Sequence, residues 1–372
     1  MTTAATPASP LLGEHTALGA TFTDFAGRQM PLRYVSELAE HRAVRSAAGL
    51  FDLSHMGEIE VVGADAGALL DYALVGELST IAVGRAKYSL LCRADGGVID
   101  DLVVYRLADQ HYLVVANAAN TPTVFGELSA RAVGFDTTIS DRSTETSLIA
   151  VQGPLAQDIV TALVPVEQAQ LVSDLRYYAA APAEVAGRQV LLARTGYTGE
   201  DGFELYTPSN DSVQLWRALL DATTARGGRP AGLASRDTLR LEAGMALYGN
   251  ELTLDTNPYE AGLGKIVRLD KDFVGRDALH RLSQRAPRRQ LVGLVGSGRR
   301  AARAGYAVHD AAGDRPVGVV TSGALSPTLG HPIALAFIDI AVHAPGTAVT
   351  VDIRGNHELF TVTRAPFYRR SR

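Results

Sequence analysis

Residues 96–105 read Gly96-Gly97-Val98-Ile99-Asp100-Asp101-Leu102-Val103-Val104-Tyr105, and this stretch determines how the surrounding sequence is interpreted. The two glycines predict a tight turn, after which Val98 begins a strand. Two adjacent carboxylates in an apolar strand are unusual, because burying a charged aspartate without a partner is costly. Neighbouring strand residues point to opposite faces, so Asp100 and Asp101 cannot share one role. We expect one of them to face water or cap a turn and the other to face a pocket.

Alternating apolar residues extend this strand into an antiparallel meander, with strands predicted at residues 86–92, 98–105 and 111–116. The segment from Glu58 to Gly63 alternates in the same way. Helical spacing predicts helices at residues 37–48, 64–75, 120–131, 155–163, 211–226 and 234–244. Gly49 is expected to stop the helix that precedes it. Beyond Arg288, short strands alternate with turns that contain glycine or proline, which predicts a separate β-rich domain.

Composition limits the class of protein. The 372 residues exceed one ordinary domain, and the net charge of −5 disfavours nucleic acid as a partner. The single cysteine, Cys92, excludes an intramolecular disulfide and favours a reducing, cytoplasmic compartment. Residues 1–12 lack the features of a signal peptide and are predicted to be a frayed tail. The apolar run at residues 333–342 is too short to cross a membrane.

Several short motifs favour structural roles. The segment from Gly296 to Ala301 superficially matches a dinucleotide fingerprint, but its position in a β-rich region favours an ordinary turn. The histidines lack metal-binding spacing, so no metal is expected. We interpret His55 as a structural histidine and Cys92 as a small buried hydrophobic residue.

The glycine-rich segment at residues 194–206 is a stronger candidate for a binding site. Its three glycines would allow backbone to approach a ligand, and Tyr197 offers a ring for stacking. Glu204 could accept two parallel hydrogen bonds from a planar heterocycle. A solvated hairpin loop is the alternative. Arg236 could clamp a carboxylate or form an ordinary ion pair with Asp237.

Seven segments together carry a resemblance to a known family. They are HRAVR (41–45), GLFDLSHMG (49–57), GGVIDDLVVY (96–105), RTGYTGEDGFE (194–204), RDTLRLEAG (236–244), DFVGR (272–276) and TSGALSPTLG (321–330). In this order they resemble the glycine cleavage system aminomethyltransferases, the T-protein family. The resemblance extends from about residue 11 to the C-terminus.

The resemblance implies an α+β fold in which three domains form a cloverleaf around a central folate cavity. The first domain would comprise residues 1–54 and 142–250, the second 55–141, and the third, a small barrel-like unit, 285–372, after a linker at 251–284. The implied reaction takes an aminomethyl group from the lipoyl arm of H-protein to tetrahydrofolate and releases ammonia. Tetrahydrofolate is the co-substrate, no metal takes part, and the protein is expected to be a monomer or weak oligomer.

Carried over position by position, Asp101 matches the family's functional carboxylate, and Asp100 is then a structural or solvent-facing neighbour. Glu204 matches the pterin-binding glutamate and Arg236 the arginine near the folate. The remaining matches to folate-binding positions are Tyr88, Asn117, Tyr197, Met56 and, at the variable C-terminal end, Arg369. The chemistry agrees with this assignment, because a preorganised anion stabilises a cationic intermediate.

Two positions depart from the family pattern. Lys265 stands where many members have an aromatic residue, and Arg28 stands where many have tryptophan. Lys265 would meet the anionic folate tail if it reaches the cavity. Rival interpretations are the folate module of flavin-dependent sarcosine or dimethylglycine dehydrogenases, a non-enzymatic relative in iron–sulfur assembly, and a simple binding protein. The chain is too short to include a flavin domain, and it retains the Asp101, Glu204 and Arg236 set.

Overall fold

The computed structural model describes residues 8–370; residues 1–7, which belong to the predicted tail, lie outside the described range, as do residues 371 and 372. The chain divides into two compact units. Within the described range, the first unit contains residues 8–70, 78–88 and 102–236, and the second contains residues 71–77, 89–101 and 237–370. The three-domain division remains a prediction.

The predicted helices are all observed, with ends that differ from the predicted ones by at most two residues. The helix that begins at Glu37 is capped by Ser36, whose side chain accepts a hydrogen bond from the Ala39 backbone N–H, and Glu37 and Glu40 lie in its first turn, where negative charge is favourable. The helices are α1 (Leu12–Ala17), α2 (Glu37–Ser46), α3 (Ala66–Ala73), α4 (Thr121–Arg131), α5 (Ala156–Thr161), α6 (Ala169–Asp174), α7 (Ser212–Thr224), α8 (Leu233–Glu242) and α9 (Arg276–Ser283). Among residues 8–370, no helix has the length and apolarity that a membrane crossing requires.

The strands form a hairpin, two open sheets and a closed barrel. They are β1 (Thr21–Phe25), β2 (Arg28–Arg33), β3 (Gly49–Asp52), β4 (Gly57–Val62), β5 (Ala86–Cys92), β6 (Val98–Ala108), β7 (His111–Ala116), β8 (Thr138–Asp141), β9 (Thr146–Gln152), β10 (Ala180–Val185), β11 (Arg188–Ala193), β12 (Gly202–Pro208), β13 (Arg229–Pro230), β14 (Arg289–Gly296), β15 (Ala307–His309), β16 (Pro316–Leu325), β17 (Pro332–Asp339), β18 (Ala348–Ile353) and β19 (Asn356–Thr363).

The predicted meander is confirmed as part of a five-stranded sheet in the order β5-β6-β7-β4-β8. Strand alternation on β6 places Asp100 on the same side as Leu102 and Val104, and all three are fully buried or nearly so. The expectation that Asp100 could face solvent is therefore wrong. Asp101 lies on the opposite side of the strand and is half-buried.

The core of the first unit forms on the six-stranded sheet β10-β11-β12-β9-β3-β13. Strand β9 pairs with both β12 and β3, so it lies in the interior of the sheet. Helix α7 contributes Leu215, Trp216 and Leu219 to this core, and all three side chains are inaccessible to solvent. Burial of such side chains contributes about 1.5–3 kcal/mol each. This sheet is the frame on which the glycine-rich segment is mounted.

The predicted C-terminal β-rich domain is confirmed as a closed six-stranded barrel in the order β14-β17-β16-β15-β18-β19. Its interior is filled by apolar residues such as Leu294, Val320 and Phe360. After β14 the chain bends at residues 297–299 and does not enter a helix. The helix that a dinucleotide fingerprint requires is therefore not formed there.

Two local predictions are wrong. Residues 8–12 are not a frayed tail, because Ser9 is nearly buried and Leu11 is fully buried in the core of the first unit. Gly49 does not stop a helix, since α2 ends at Ser46 and Gly49 begins β3. A Cβ at Gly49 would lie 2.4 Å from the Val44 Cγ2 atom, so close packing explains this glycine.

Candidate active site

The glycine-rich segment is held in place by Gln152, the last residue of β9. The Gln152 side-chain amide donates to the Thr195 carbonyl at 3.0 Å and accepts from the Thr198 hydroxyl at 2.9 Å. A Cβ on Gly196 or Gly202 would lie 1.9 Å or 2.4 Å from this side chain. These two glycines therefore make room for Gln152, a different reason from the ligand approach that the sequence suggested.

Two arginines clamp the same segment. Arg194 pairs with Asp201 and lies over the Phe203 ring at 5.2 Å. Arg45 on α2 donates to the Thr198 carbonyl at 2.8 Å and to Glu200 at 2.9 Å. Glu200 is buried, and a buried charge is stable only when it is paired. The alternative of a solvated hairpin loop therefore does not describe this segment.

Arg236 and Tyr197 form a stacked pair. The Arg236 guanidinium lies 4.8 Å from the centre of the Tyr197 ring, and both side chains are half-buried. Burial lowers the pKa of Arg236, while Tyr197 and Glu204 act in the opposite direction. Within residues 8–370 this guanidinium has no ion pair, and Asp237 pairs instead with Arg240 at 2.8 Å. Arg236 is therefore a fixed cation able to accept an anionic ligand group.

Glu204 lies on β12 opposite Ala193 and Ala150 of the neighbouring strands. Its Oε2 atom accepts a hydrogen bond from the Thr195 hydroxyl. Burial raises the pKa of Glu204, and the Thr195 hydroxyl, Arg236 and Tyr105 oppose this rise. The structure thus brings Glu204, Arg236 and Tyr197 of the predicted set into one electrostatic group.

Met56 immediately precedes β4, Asn117 immediately follows β7, and Tyr88 lies within the same sheet; all three are half-buried. Gly57 pairs with Ala116, so Met56 and Asn117 flank the adjacent ends of β4 and β7. Tyr88 is on β5. The sheet brings Met56 and Asn117 together.

The remaining predicted residues belong to the second unit. Asp101 is half-buried on β6, whereas Arg369 and Lys265 are exposed. Close to Arg369, the backbone N–H groups of Phe367 and Tyr368 both donate to the Glu242 carbonyl at 2.9 Å. The C-terminal segment is therefore anchored to α8, although the Arg369 side chain is in solvent.

Glu58 is a buried carboxyl group that the sequence interpretation missed. Its side chain is 1% exposed, and neither carboxyl oxygen has a hydrogen-bond partner among residues 8–370. Burial raises the pKa of Glu58 well above its usual range; Arg28 opposes this rise, while Asp141 and Glu204 add to it. Alternation from Glu58 to Gly63 predicts a strand, which is observed as β4, but it does not identify Glu58 as a buried carboxyl group. No local sequence signal distinguishes it, because what buries it is tertiary packing.

His55 is buried in the same region. It is 3% exposed and packs edge-on against Phe25 at 5.1 Å. Burial lowers its pKa to about 3, with Arg236 and Arg28 acting in the same direction and Asp52 opposing. The description of His55 as a structural histidine agrees with this environment. In the part of the chain that the structure describes, no group of three or more His, Cys, Asp or Glu side chains is arranged to hold a metal ion.

Comparisons with known proteins agree with this fold. The family model "GCVT N-terminal domain" matches residues 11–271, and "Glycine cleavage T-protein C-terminal barrel domain" matches residues 289–369. The aminomethyltransferase of Saccharopolyspora erythraea is 55% identical over 365 residues, covering 98% of each chain. That of Streptomyces avermitilis is 56% identical over 364 residues, covering 96% of each chain.

A solved structure supports the same relationship. The crystal structure of glycine cleavage system aminomethyltransferase T from Bartonella henselae superposes with a TM-score of 0.90. The two chains are 36% identical, and the match covers 98% of each. The two family models together match both the open-sheet region and the barrel. The chain therefore belongs to the glycine cleavage T-protein family of aminomethyltransferases.

Proposed function

We propose that this protein transfers an aminomethyl group from the lipoyl arm of an H-protein to tetrahydrofolate, releasing ammonia and forming 5,10-methylenetetrahydrofolate. The observation that carries the proposal within the site is the combination of Glu204 with the stacked Arg236–Tyr197 pair. A carboxylate, a fixed cation and an aromatic face are the three groups that a pterin with an anionic tail requires.

The reaction balances without an oxidant or reductant. The transferred carbon begins bonded to the lipoyl sulfur and to an amino nitrogen, and it ends bonded to the 5- and 10-nitrogens of the folate. Its bonds to sulfur and to the amino nitrogen break. The two protons that leave the folate nitrogens are taken up by the sulfur and by the departing ammonia.

In this proposal Glu204 accepts hydrogen bonds from the donor edge of the pterin. Tyr197 stacks on a planar part of the folate, and Arg236 attracts negative charge. Tyr88, Asn117 and Met56 complete the folate-binding surface, and Arg369 contributes from the C-terminal end. These assignments are supported by the half-buried positions of six residues: Glu204, Tyr197, Arg236, Tyr88, Asn117 and Met56. Arg369 is exposed.

Asp101 has a different role in the proposal. Its rigid strand holds a carboxylate that stabilises cationic charge developing on the transferred carbon and orients the folate nitrogens. Orientation and electrostatics suffice for this role, so Asp101 need not accept a proton.

A direct assay tests the function. Purified protein is mixed with aminomethyl-loaded H-protein and tetrahydrofolate, and ammonia and methylenetetrahydrofolate are measured. We expect both products in equal amounts. Folded protein that yields neither product with active H-protein would refute the proposed reaction.

Replacing Asp101 with asparagine tests the electrostatic role. We expect Asp101→Asn to lower turnover by about a hundredfold or more, the loss that follows removal of one preorganised electrostatic group, while tetrahydrofolate binding changes little. Asp109→Asn is the matched control, because Asp109 follows the same strand and its side chain is 91% exposed. Turnover of Asp101→Asn within a few-fold of the wild type would show that the electrostatic role is wrong.

A further inference from the structure

Three buried hydroxyl groups form a hydrogen-bonded series that ends on Glu204. The Tyr206 hydroxyl donates to the Tyr105 hydroxyl at 3.4 Å, and the Tyr105 and Thr195 hydroxyls are 2.8 Å apart. Thr195 in turn donates to Glu204 Oε2. Thr195, Tyr105 and Tyr206 are 3%, 1% and 6% exposed, so water does not compete for these bonds.

The donor in each hydrogen bond of the series follows from the bond between Thr195 and Glu204. Each hydroxyl has one proton to donate, and the Thr195 proton is used by Glu204. Tyr105 must therefore donate to Thr195, and Tyr206 to Tyr105. The two tyrosine rings pack edge to face with centres 5.8 Å apart, which fixes their hydroxyls in place.

The series makes the two oxygens of Glu204 unequal. Oε2 is anchored by the hydrogen bond that it accepts from the Thr195 hydroxyl. A carboxylate held at one oxygen has a fixed plane, so its other oxygen is presented in one direction. This arrangement is what a bidentate contact to a planar ligand requires.

We propose that Thr195, Tyr105 and Tyr206 are positioning residues that fix and polarise the Glu204 carboxylate for the pterin of tetrahydrofolate. The inference rests on the proposed function and extends it to three residues that do not themselves contact the ligand. Hydrogen bonds aligned toward a charged acceptor polarise one another in a buried setting, so the whole series acts on Glu204.

The charged state of Glu204 depends on groups from several elements. Burial raises its pKa; the Thr195 hydroxyl, Arg236 on α8 and Tyr105 on β6 lower it. Glu58 on β4 also faces Glu204, and Tyr206 lies next to it along β12. Removing the Thr195 donor should raise the pKa of Glu204 further, so pterin binding should weaken at a higher pH than in the wild type.

The test compares Thr195→Val with Thr195→Ser in the full chain. Tetrahydrofolate itself is the probe, and its dissociation constant is measured calorimetrically under anaerobic conditions between pH 5 and pH 9. We expect Thr195→Val to weaken binding about tenfold at pH 7, the typical effect of losing a hydrogen bond to a charged group. On acidification, the affinity of the Thr195→Val variant for tetrahydrofolate should begin to fall at a higher pH than that of the wild type. Thr195→Ser keeps the hydroxyl and should match the wild type within about twofold.

Kinetics add a second measurement. If the series acts through pterin binding, Thr195→Val should raise KM for tetrahydrofolate more than it lowers kcat. Tyr105→Phe removes the next donor without changing the loop and should give a smaller loss of affinity, about threefold. If the Thr195→Val variant does not fold, the affinity of the Tyr105→Phe variant for tetrahydrofolate serves as the test.

The outcomes separate the two proposals. Wild-type protein that binds tetrahydrofolate, together with Thr195→Val and Tyr105→Phe variants whose affinity and pH profile are unchanged, would overturn the positioning role alone. Thr195→Ser losing as much affinity as Thr195→Val would also overturn it, because shape and not the hydroxyl would then matter. Wild-type protein without affinity for tetrahydrofolate would overturn the proposed function and, with it, this inference.

Discussion

At the scale of single residues, Glu58 shows how burial changes a titratable group. Its carboxyl group has no hydrogen-bond partner among residues 8–370, and its pKa is raised chiefly by burial. The folded chain therefore retains a proton that the unfolded chain loses as pH rises above about 4.3. Because the unfolded state then binds fewer protons, Glu58 favours folding most at acidic pH, and this contribution is lost as pH rises toward its folded pKa.

This linkage predicts the behaviour of Glu58→Gln. Glutamine has nearly the same shape but cannot ionise, so the variant should gain stability relative to the wild type as pH rises from 5 to 8. The gain should grow steadily across this range, because the raised pKa of Glu58 makes the folded wild type hold a proton that the unfolded chain has already released. Urea unfolding at several pH values measures it, with exposed Glu145→Gln as the control. A constant difference at all pH values would contradict the assigned protonation state.

At the scale of elements, the glycine-rich segment illustrates packing that only glycine allows. A Cβ on Gly196 would lie 1.9 Å from the Gln152 side chain. We therefore expect Gly196→Ala to lower the free energy of unfolding by about 2 kcal/mol, within the range for overpacked sites. Since Gln152 also holds Thr195, tetrahydrofolate affinity should fall in the same variant.

Gly126→Ala is the matched control for that substitution. Gly126 lies inside α4, and a Cβ there meets no atom within 4 Å. Alanine should raise the free energy of unfolding by about 0.5–1 kcal/mol, because glycine is unfavourable in a helix interior. Urea denaturation of both variants checks the pair, and equal effects of the same sign would show that the Gln152 contact is not the cause.

The elements also show what the sequence could predict. Alternation located β5, β6 and β7, because each strand has one face against the core. The same pattern did not show that Glu58 is buried, since local periodicity does not reveal which face is covered by later segments. Alternation predicts that Asp100 and Asp101 lie on opposite faces of the strand, but it does not show which of them is functional. The family resemblance selected Asp101. The hydroxyl series on Glu204 joins Tyr105 to the segment at residues 194–206, which is distant from it in sequence, and no local pattern encodes this contact.

At the scale of the whole molecule, acid stability depends on a buried network around Asp52. The carboxylate accepts from the Ser9 hydroxyl and the Ser54 N–H and contacts His15 at 2.8 Å. Although burial raises the pKa of Asp52, the hydrogen bonds from His15, Ser9 and Ser54 and the charge of His15 bring it below its usual value. A carboxyl group with a lowered pKa stabilises the fold above about pH 3.9, and this contribution is lost as pH falls through the folded pKa.

Asp52→Asn should therefore destabilise the protein most at neutral pH. We expect a loss of about 2–4 kcal/mol at pH 7, because buried partners lose a charged acceptor. The difference from the wild type should shrink as pH is lowered toward 3. Urea unfolding between pH 7 and pH 3 tests this, with exposed Asp109→Asn as the control. A deficit that does not change with pH would assign the effect to packing alone.

The interleaving of the two units along the chain constrains how the molecule is made. Residues 71–77 and 89–101 leave the ribosome long before residue 237, yet they belong with the C-terminal part of the chain. The first unit can complete its core once residue 236 has emerged, whereas those two segments must wait for the end of translation. During that interval the two segments are separated from the remainder of their unit, which begins at residue 237. Nascent chains of this protein should therefore depend on chaperones for longer than their overall length alone would suggest.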